Sequence, residues 1–204
     1  MRVSAGVDSL PISVENCLFH GNQAGNGGAI LVTVANGAST QKVQFRGITV
    51  TGNTATDKGG GLHLGASSVT LASSIVWGNS DGATGGGSGD EVYVAPIQGY
   101  AVAVQATLSR AAEGQFGDPS LLVNGGSGFA VGQLGNLEAN PLFVAGPQGS
   151  WYLGKAAAGQ CSTSPAVDPA GGAAASSVPW GSRTTRTDGK ADSGALDLGW
   201  HYPL

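Results

Sequence analysis

Three segments of this chain, ISVENCLFHGN (12–22), VQFRGITVTGN (43–53) and VTLASSIVWGN (69–79), repeat one pattern of alternating apolar residues that ends in Gly-Asn. A glycine-rich turn and a second short apolar segment follow each of them: GGAILV (27–32), GGGLHL (59–64) and GDEVYV (89–94). The closing asparagines recur at intervals of 31 and 26 residues, a length typical of one coil in a stacked repeat protein. The repetition therefore predicts the architecture.

The alternation within each segment predicts half-buried strands that lie one above another in register. Ile12, Val43 and Val69 occupy equivalent positions, and the other apolar positions align in the same way. These further inward columns are Val14 with Phe45 and Leu71, Phe19 with Val50 and Val76, Ile30 with Leu62 and Val92, and Val32 with Leu64 and Val94. We expect an all-β fold, a right-handed parallel β-helix (β-solenoid) of three to four coils with an irregular C-terminal cap.

The chain divides into a repetitive and an irregular part of one structural domain. Residues 1–109 hold the coils, of which the fourth, YAVAVQATLS (100–109), keeps the alternation. Residues 110–204 hold the degraded end of the last coil and an aromatic-rich capping segment with most of the prolines. Such a segment cannot continue a stack of short strands, so it is expected to wrap along the outside or fold over the open end.

The asparagines that close the repeats, Asn22, Asn53 and Asn79, are predicted to form a structural ladder. An amide side chain carries both hydrogen-bond donors and acceptors, so equivalent asparagines on successive coils can satisfy one another. The glycine before each asparagine permits a backbone conformation that other residues resist.

Composition and charge argue against two classes of partner. The nine basic residues form no cluster and the net charge is −4, which disfavours nucleic acid. No apolar run approaches the roughly 20 residues of a membrane span. No signal peptide precedes the first coil, and little sequence is left to cap it. Two interpretations remain, a cytoplasmic protein or the C-terminal piece of a longer secreted protein, and we expect the second. Whether Cys17 and Cys161 form a disulfide is not decided by the sequence.

Four segments of the last third carry a resemblance to a protein family. They are GNLEANPLFV (135–144), GSWYL (149–153), STSPAVDPAG (162–171) and TDGKADSGALDLGWHYP (187–203). In this order they resemble the closing signature of bacterial secreted right-handed parallel β-helix proteins with a pectate-lyase-like fold. Asn140 stands where the family often has Asp, and Asp168-Pro169 replaces its Asp-Ala-Gly. The resemblance implies the C-terminal portion of a choice-of-anchor-type surface protein, located outside the cell or on a bacterial surface.

The resemblance also raises an enzymatic hypothesis, because some proteins of this fold are polysaccharide lyases. They need a carboxylate cluster that binds Ca²⁺ and a Lys or Arg that removes a proton. Glu15 and Arg46 are more simply explained as an ion pair between neighbouring strands. The other outward candidates are His63 and Glu91, and the turn aspartates that a hydrolase could use, which do not align, are Asp57, Asp81 and Asp90. No catalytic residue is assigned.

The acidic tail loop offers the best metal candidate. Asp188, Asp192 and Asp197 lie within ten residues, separated by glycines, and Ca²⁺ sites use oxygen-rich loops of this kind. The spacing differs from that of an EF-hand, and Asp and Gly are also ordinary turn residues. The expectation is no cofactor, with a structural calcium ion as the alternative; Asp197 is otherwise expected to pair with a backbone amide, Arg183 or Arg186.

Four outward rings, those of His20, His63, Trp77 and Tyr93, are candidates for a carbohydrate-binding face. The function that the sequence favours is a non-catalytic secreted or cell-surface stalk or adhesion segment that contacts glycans or other proteins. The first alternative is a polysaccharide lyase or hydrolase, or the truncated remnant of one. The second is a structural protein that assembles end to end through its uncapped N-terminal coil.

Overall fold

The computed structural model describes residues 1–5, 11–34, 42–65, 68–82, 91–95, 102–105, 107–109, 135–170 and 172–204. In this part the protein is all-β, and helix is limited to two short 3-10 turns, Ala156–Ala158 and Ala175–Ser177. The prediction of an all-β protein with parallel sheets is confirmed. Of the predicted fourth coil (100–109), residues 102–105 and 107–109 are described, whereas residue 110, at which the capping segment was predicted to begin, and Asp90 lie outside the described residues.

Four parallel sheets, named A to D, are built from strands that come from successive repeats. Repeat 1 is residues 11–34, repeat 2 is 42–65 and repeat 3 is 68–95. Sheet A contains β1 (Arg2–Ala5), β5 (Ile30–Val34), β9 (Leu62–Gly65) and β13 (Val92–Ala95). Sheet B contains β2 (Ile12–Glu15), β6 (Lys42–Arg46), β10 (Ser68–Ala72) and β14 (Val102–Gln105). Sheet C contains β3 (Leu18–His20), β7 (Thr49–Thr51), β11 (Ile75–Trp77) and β15 (Leu108–Ser109), and sheet D contains β4 (Gln23–Ala24), β8 (Thr54–Ala55) and β12 (Ser80–Asp81).

Equivalent residues of successive repeats are direct neighbours in these sheets. Val43 pairs with Ile12 on one side and with Val69 on the other, and Val69 pairs in turn with Val102. The inward side chains of sheets A, B and C form one apolar core in which Phe45 is fully buried. The alternation of buried and more exposed residues along β6 and β10 follows from the period of two in a strand.

A second core lies on the outer side of sheet C. Ile75 and Leu108, which alternation directs away from the first core, pack against Leu153, Ala166 and Leu198 of the C-terminal segment. Part of that segment is an antiparallel hairpin of β16 (Phe143–Gly146) and β17 (Gly149–Leu153). The segment therefore covers the side of the repeats at sheet C, the first of the two courses expected for it.

Residues 199–201, which we call the strap, cross all three repeats on this side. The Gly199 N–H donates to the Ser73 carbonyl of repeat 3 (2.9 Å) and the Trp200 N–H to Thr49 Oγ1 of repeat 2 (2.9 Å). The His201 N–H donates to Asn16 Oδ1 of repeat 1 (2.7 Å), and Asn16 Nδ2 returns a bond to the His201 carbonyl (3.0 Å). One hydrogen-bonded segment thus ties the repeats to one another and to the rest of the C-terminal segment.

Candidate functional site

The side chains of Asn22, Asn53 and Asn79 lie on successive repeats and are hydrogen-bonded in series. Asn22 donates from its backbone N–H (2.9 Å) and its amide (2.8 Å) to Asn53 Oδ1. Asn53 donates in the same two ways to Asn79 Oδ1 (3.0 and 2.8 Å). The amide groups of Asn53 and Asn79 also donate to carbonyl oxygens of the preceding repeat. This chain of bonds uses the donors and acceptors inside the protein, which is a structural use of the motif.

Glu91 ends this ladder and is fully buried, so its assignment as an outward residue was wrong. Its carboxylate accepts from the Gly78 N–H (2.7 Å), the Asn79 N–H (3.2 Å) and the Asn79 amide (2.6 Å). The two oxygens thereby take the place that the asparagine oxygen of a further repeat would occupy. Alternation failed here because Glu91 precedes β13, where the chain is still in the turn and the period of two does not apply.

The predicted calcium ligands do not all come together. Asp192 and Asp197 lie in one cluster with Asp168, and the three offer carboxylate oxygens within 4.8 Å of one another. Asp188 is outside this cluster, because the Arg186 guanidinium binds both of its oxygens (2.9 and 2.6 Å) and lowers the pKa of its carboxyl group. Sequence reasoning missed Asp168 as a partner, although it stands in one of the four segments that carried the family resemblance.

The carboxylates of the cluster already accept several hydrogen bonds. Asp192 accepts from the Ser193 N–H at one oxygen (2.7 Å) and from the Asp197 N–H at the other (2.8 Å). Asp197 accepts from the Asp168 N–H (2.8 Å) and from the Thr185 hydroxyl group. Burial and, second, the neighbouring Asp192 charge raise the pKa of Asp197. Calcium requires six to eight oxygen ligands, and this donor-rich surrounding fits hydrogen-bonded carboxylates better than the coordination of a cation.

His201 completes the cluster and is fully buried. Its Nε2 atom lies 3.0 Å from Asp192 Oδ2, and its Nδ1 atom lies 3.0 Å from the Gly199 carbonyl oxygen. Both ring nitrogens therefore face oxygen atoms, and neither faces a cleft in which a substrate could bind. The arrangement suits a structural role, in which the imidazole positions the strap.

The C-terminal segment contacts two of the four rings proposed for a carbohydrate-binding face, those of His20 and Trp77. The ring centroids of His20 and Trp151 are 5.7 Å apart. Trp151 in turn packs edge-on against Phe143, with a distance of 5.4 Å between the ring centroids. Trp77 is half-buried and packs against the second core. The C-terminal segment thus occupies much of the outer face of sheet C, although His20, on the edge strand β3, stays exposed.

The other two rings, those of His63 and Tyr93, lie side by side on the outer face of sheet A. They belong to the paired strands β9 and β13, and their centroids are 4.9 Å apart. Lys58 places its ammonium group 4.8 Å from the centre of the Tyr93 ring and 3.4 Å from its hydroxyl oxygen. Burial is the main cause that lowers the pKa of His63, so its imidazole is neutral at neutral pH. We call these three half-buried residues the sheet A patch.

The residues weighed for lyase or hydrolase chemistry do not converge in the described part of the chain. Glu15 and Arg46 are paired neighbours, but the Glu15 carboxylate accepts from the Ser13 hydroxyl group (2.8 Å) and forms no ion pair with Arg46. Asp57 is exposed, and Asp81 is half-buried. Cys17 and Cys161 are free thiols, and burial raises the pKa of Cys17.

Comparison with known proteins gives no match: no protein-family model fits the sequence, and neither a curated protein nor a solved structure matches the chain. Among the described residues, no helix has the length and hydropathy that crossing a lipid bilayer requires.

Proposed function

We propose that the chain is a right-handed parallel β-helix segment of a secreted or bacterial cell-surface protein, and that it acts without catalysis by contacting glycans or proteins. Successive repeats supply in-register strands to the same parallel sheets, as the coils of a β-helix do. Right-handedness follows from the strong preference of crossovers between parallel strands. The resemblance of the four C-terminal segments to secreted β-helix proteins supports the location.

The observation that carries the contact function is the sheet A patch. The rings of His63 and Tyr93 stand next to each other on parallel strands, and no ring or core contact with the described residues of the C-terminal segment (135–170 and 172–204) involves them. Rings of this kind present an apolar surface with a polar tip, and a sugar presents C–H groups beside hydroxyl groups. The Lys58 ammonium group adds a hydrogen-bond donor at the edge of the Tyr93 ring. The patch therefore combines an apolar surface with polar groups that can hold a sugar in one orientation.

A glycan array tests this proposal. Purified protein is expected to bind a subset of glycans, and Tyr93→Ala is expected to weaken that binding about tenfold, the equivalent of about 1.4 kcal/mol. Thr33→Ala is the matched control, because Thr33 is half-buried on the neighbouring strand of the same sheet but lies in a different side-chain row. Equal binding by Tyr93→Ala, or the same loss in both variants, would remove the sheet A patch from the contact surface.

A second candidate function, end-to-end assembly, is supported by the N-terminal edge of the repeats. In the described part of the chain, β2, β3 and β4 are each the last strand of their sheet, whereas β1 covers only sheet A. The Asn16 N–H points to β6, so by alternation the backbone groups of Ser13 point to the open side. A strand edge of this kind can pair with another chain.

Light scattering over a concentration series tests the assembly. The mean molecular mass of the wild-type protein is expected to rise with concentration. The mass of Ser13→Pro is expected to stay at the monomer value, because this substitution removes one N–H from the open edge. A wild-type protein that remains monomeric at high concentration argues against assembly.

A further inference from the structure

We propose that a cavity between repeat 1 and the C-terminal segment binds the terminal acidic sugar of a glycan. The cavity has a volume of about 260 Å³ and is lined by Glu15, Asn16, Pro179, Trp180 and Arg183. We call it the corner cavity, because residues 15–16 lie where β2 ends and the chain turns towards β3. The inference rests on the proposed glycan contact, and it adds a site that is separate from the sheet A patch.

Hydrogen bonds fix the walls of the corner cavity and leave its charged side chains free. The Asn16 amide is used on both sides by the strap, since its oxygen accepts from the His201 N–H (2.7 Å) and its nitrogen donates to the His201 carbonyl (3.0 Å). The Arg183 backbone donates to the Trp180 carbonyl (2.9 Å) and accepts from the Asp192 N–H (2.8 Å). These bonds hold the two sides of the cavity in place before a ligand enters, which reduces the cost of binding.

Two of the lining residues carry hydrogen-bond donors that no described residue accepts. Trp180 is 4% exposed, and its Nε1 atom is buried without a hydrogen-bond partner. A buried N–H group of this kind calls for an acceptor, because leaving it without one is unfavourable. The Arg183 guanidinium is exposed and forms neither a hydrogen bond nor an ion pair within the described ranges. A carboxylate in the cavity that both residues line would supply acceptors to both, and its two oxygens match the planar donors of a guanidinium group.

Glu15 adds an acceptor to the same cavity. Its Oε1 atom accepts from the Ser13 hydroxyl group (2.8 Å), whereas its Oε2 atom has no partner in the part of the chain that the structure describes. Glu15 and Arg183 line one cavity without forming an ion pair with each other. The carboxylate of Glu15 can therefore accept from hydroxyl or amide groups of a ligand whose own carboxylate faces Arg183. An acidic sugar carries both kinds of group on one ring.

Charge and size favour a single acidic sugar over a zwitterion or an oligomer. Arg46 pairs with Glu15 in sheet B, and it also has no ion pair with a described residue. Two guanidinium groups and one carboxylate thus give this corner a charge of +1 (2 − 1), which suits a monoanion better than an amino acid without net charge. The volume lies below the roughly 300–1,000 Å³ of sites for drug-sized ligands. The cavity therefore suits one ring at the end of a glycan.

The indole N–H signal of Trp180 in NMR spectra reports on this site. It can be assigned in the wild-type protein through nuclear Overhauser effects to Val178 and Leu196, which pack against the ring. Titration with sodium N-acetylneuraminate, an acidic sugar, is expected to shift the signal in a saturable way, because Nε1 gains an acceptor. The indole signals of Trp77 and Trp151, which do not line the cavity, are expected to stay in place. The neutral methyl ester of the sugar and sodium acetate are expected to cause much smaller shifts.

Two variants and one matched control identify the groups that bind the sugar. Arg183→Gln is expected to weaken binding about tenfold or more, because it removes the charged donor. Glu15→Ala is expected to weaken binding as well, because it removes the acceptor for the hydroxyl or amide groups. Arg2→Gln is the control, since it removes an exposed guanidinium on β1 of sheet A, and it should bind like the wild type.

A Trp180 signal that does not move at millimolar sugar overturns the inference. An equal shift with sodium acetate also overturns it, because the cavity would then accept any carboxylate. The same loss of binding in Arg183→Gln and Arg2→Gln overturns it too, because overall charge alone would explain the binding. None of these outcomes touches the proposed glycan contact, which the array tests at Tyr93 on another sheet. A silent array together with a saturable Trp180 shift would keep the corner cavity as a sugar site and remove the sheet A patch.

Discussion

Substitution of Gly47 by alanine tests the contact between the C-terminal segment and the repeats. Gly47 lies in the turn between β6 and β7 with φ of +59°, and an added Cβ would lie 2.8 Å from Trp180 Nε1 and 3.0–3.1 Å from two ring carbons. Trp180 is 4% exposed and packs with Val178 and Leu196, so it has little room to move. The left-handed backbone conformation costs alanine about 1–2 kcal/mol, and overpacking adds about 1–3 kcal/mol.

Gly52→Ala separates the two effects. Gly52 has φ of +62°, but its added Cβ would meet nothing within 4 Å, so only the backbone term applies. In urea unfolding at equilibrium, Gly47→Ala is expected to lower the free energy of unfolding by about 2–4 kcal/mol and Gly52→Ala by about 1–2 kcal/mol. The difference between the variants measures the contact with Trp180.

A double variant makes the test specific. Gly47→Ala combined with Trp180→Leu should recover part of the cost, because the smaller side chain leaves space for the new methyl group; the pair is then coupled, and the effects of the single variants are not additive. Equal losses in Gly47→Ala and Gly52→Ala, together with additive effects in the double variant, would refute the packing of Trp180 on this turn.

Three further predictions concern the repeats. Phe45→Asp puts an unpaired charge into the first core and is expected to abolish the cooperative thermal transition in circular dichroism, whereas Glu15→Gln, at an exposed position, should melt within a few degrees of the wild type. In urea unfolding, Asn53→Ala should lower the free energy of unfolding by about 1–3 kcal/mol more than Asn22→Ala does, because Asn53 is buried and hydrogen-bonded on both sides while Asn22 is exposed. Equal losses in the two variants would contradict the ladder. Glu91→Gln should lower the free energy of unfolding by about 1–3 kcal/mol, because the amide NH₂ of glutamine would face the N–H donors that the carboxylate now accepts. If Glu91→Gln were as stable as the control Glu15→Gln, the carboxylate would not be needed.

The parallel pairing of the repeats was accessible from the sequence because it depends on local periodicity. Alternation predicted that Val43 and Val69 both point inward, and the alignment of the repeats predicted that they are paired on neighbouring strands, as they are. The burial of Thr49 and Ile75 was not accessible in this way. Alternation directs them outward, and only the C-terminal segment, which follows about a hundred residues later, covers them. A contact between such distant segments leaves no periodic signal in the sequence.

The carboxylate cluster also could not be predicted in full from the sequence. Nearness in sequence grouped Asp188 with Asp192 and Asp197, but Arg186 stands two residues from Asp188 and binds it locally. Asp168 reaches the cluster instead through a turn in which its own N–H donates to Asp197. Spacing identifies residues that can meet, whereas local competition for a carboxylate decides which of them do.

The direction of the asparagine ladder distinguishes the two ends of the repeats. Each asparagine oxygen accepts bonds from the repeat before it, so the last asparagine, Asn79, needs an acceptor of its own, and Glu91 supplies one from within repeat 3. At the other end, no described residue donates to Asn22 Oδ1, and the strand edge of β2 is also unpaired. An incoming repeat with an asparagine at this position would meet an acceptor and a strand edge that none of the described residues occupies. The assembly proposed above would therefore add strands at the N-terminal end, where Ser13→Pro is expected to block it.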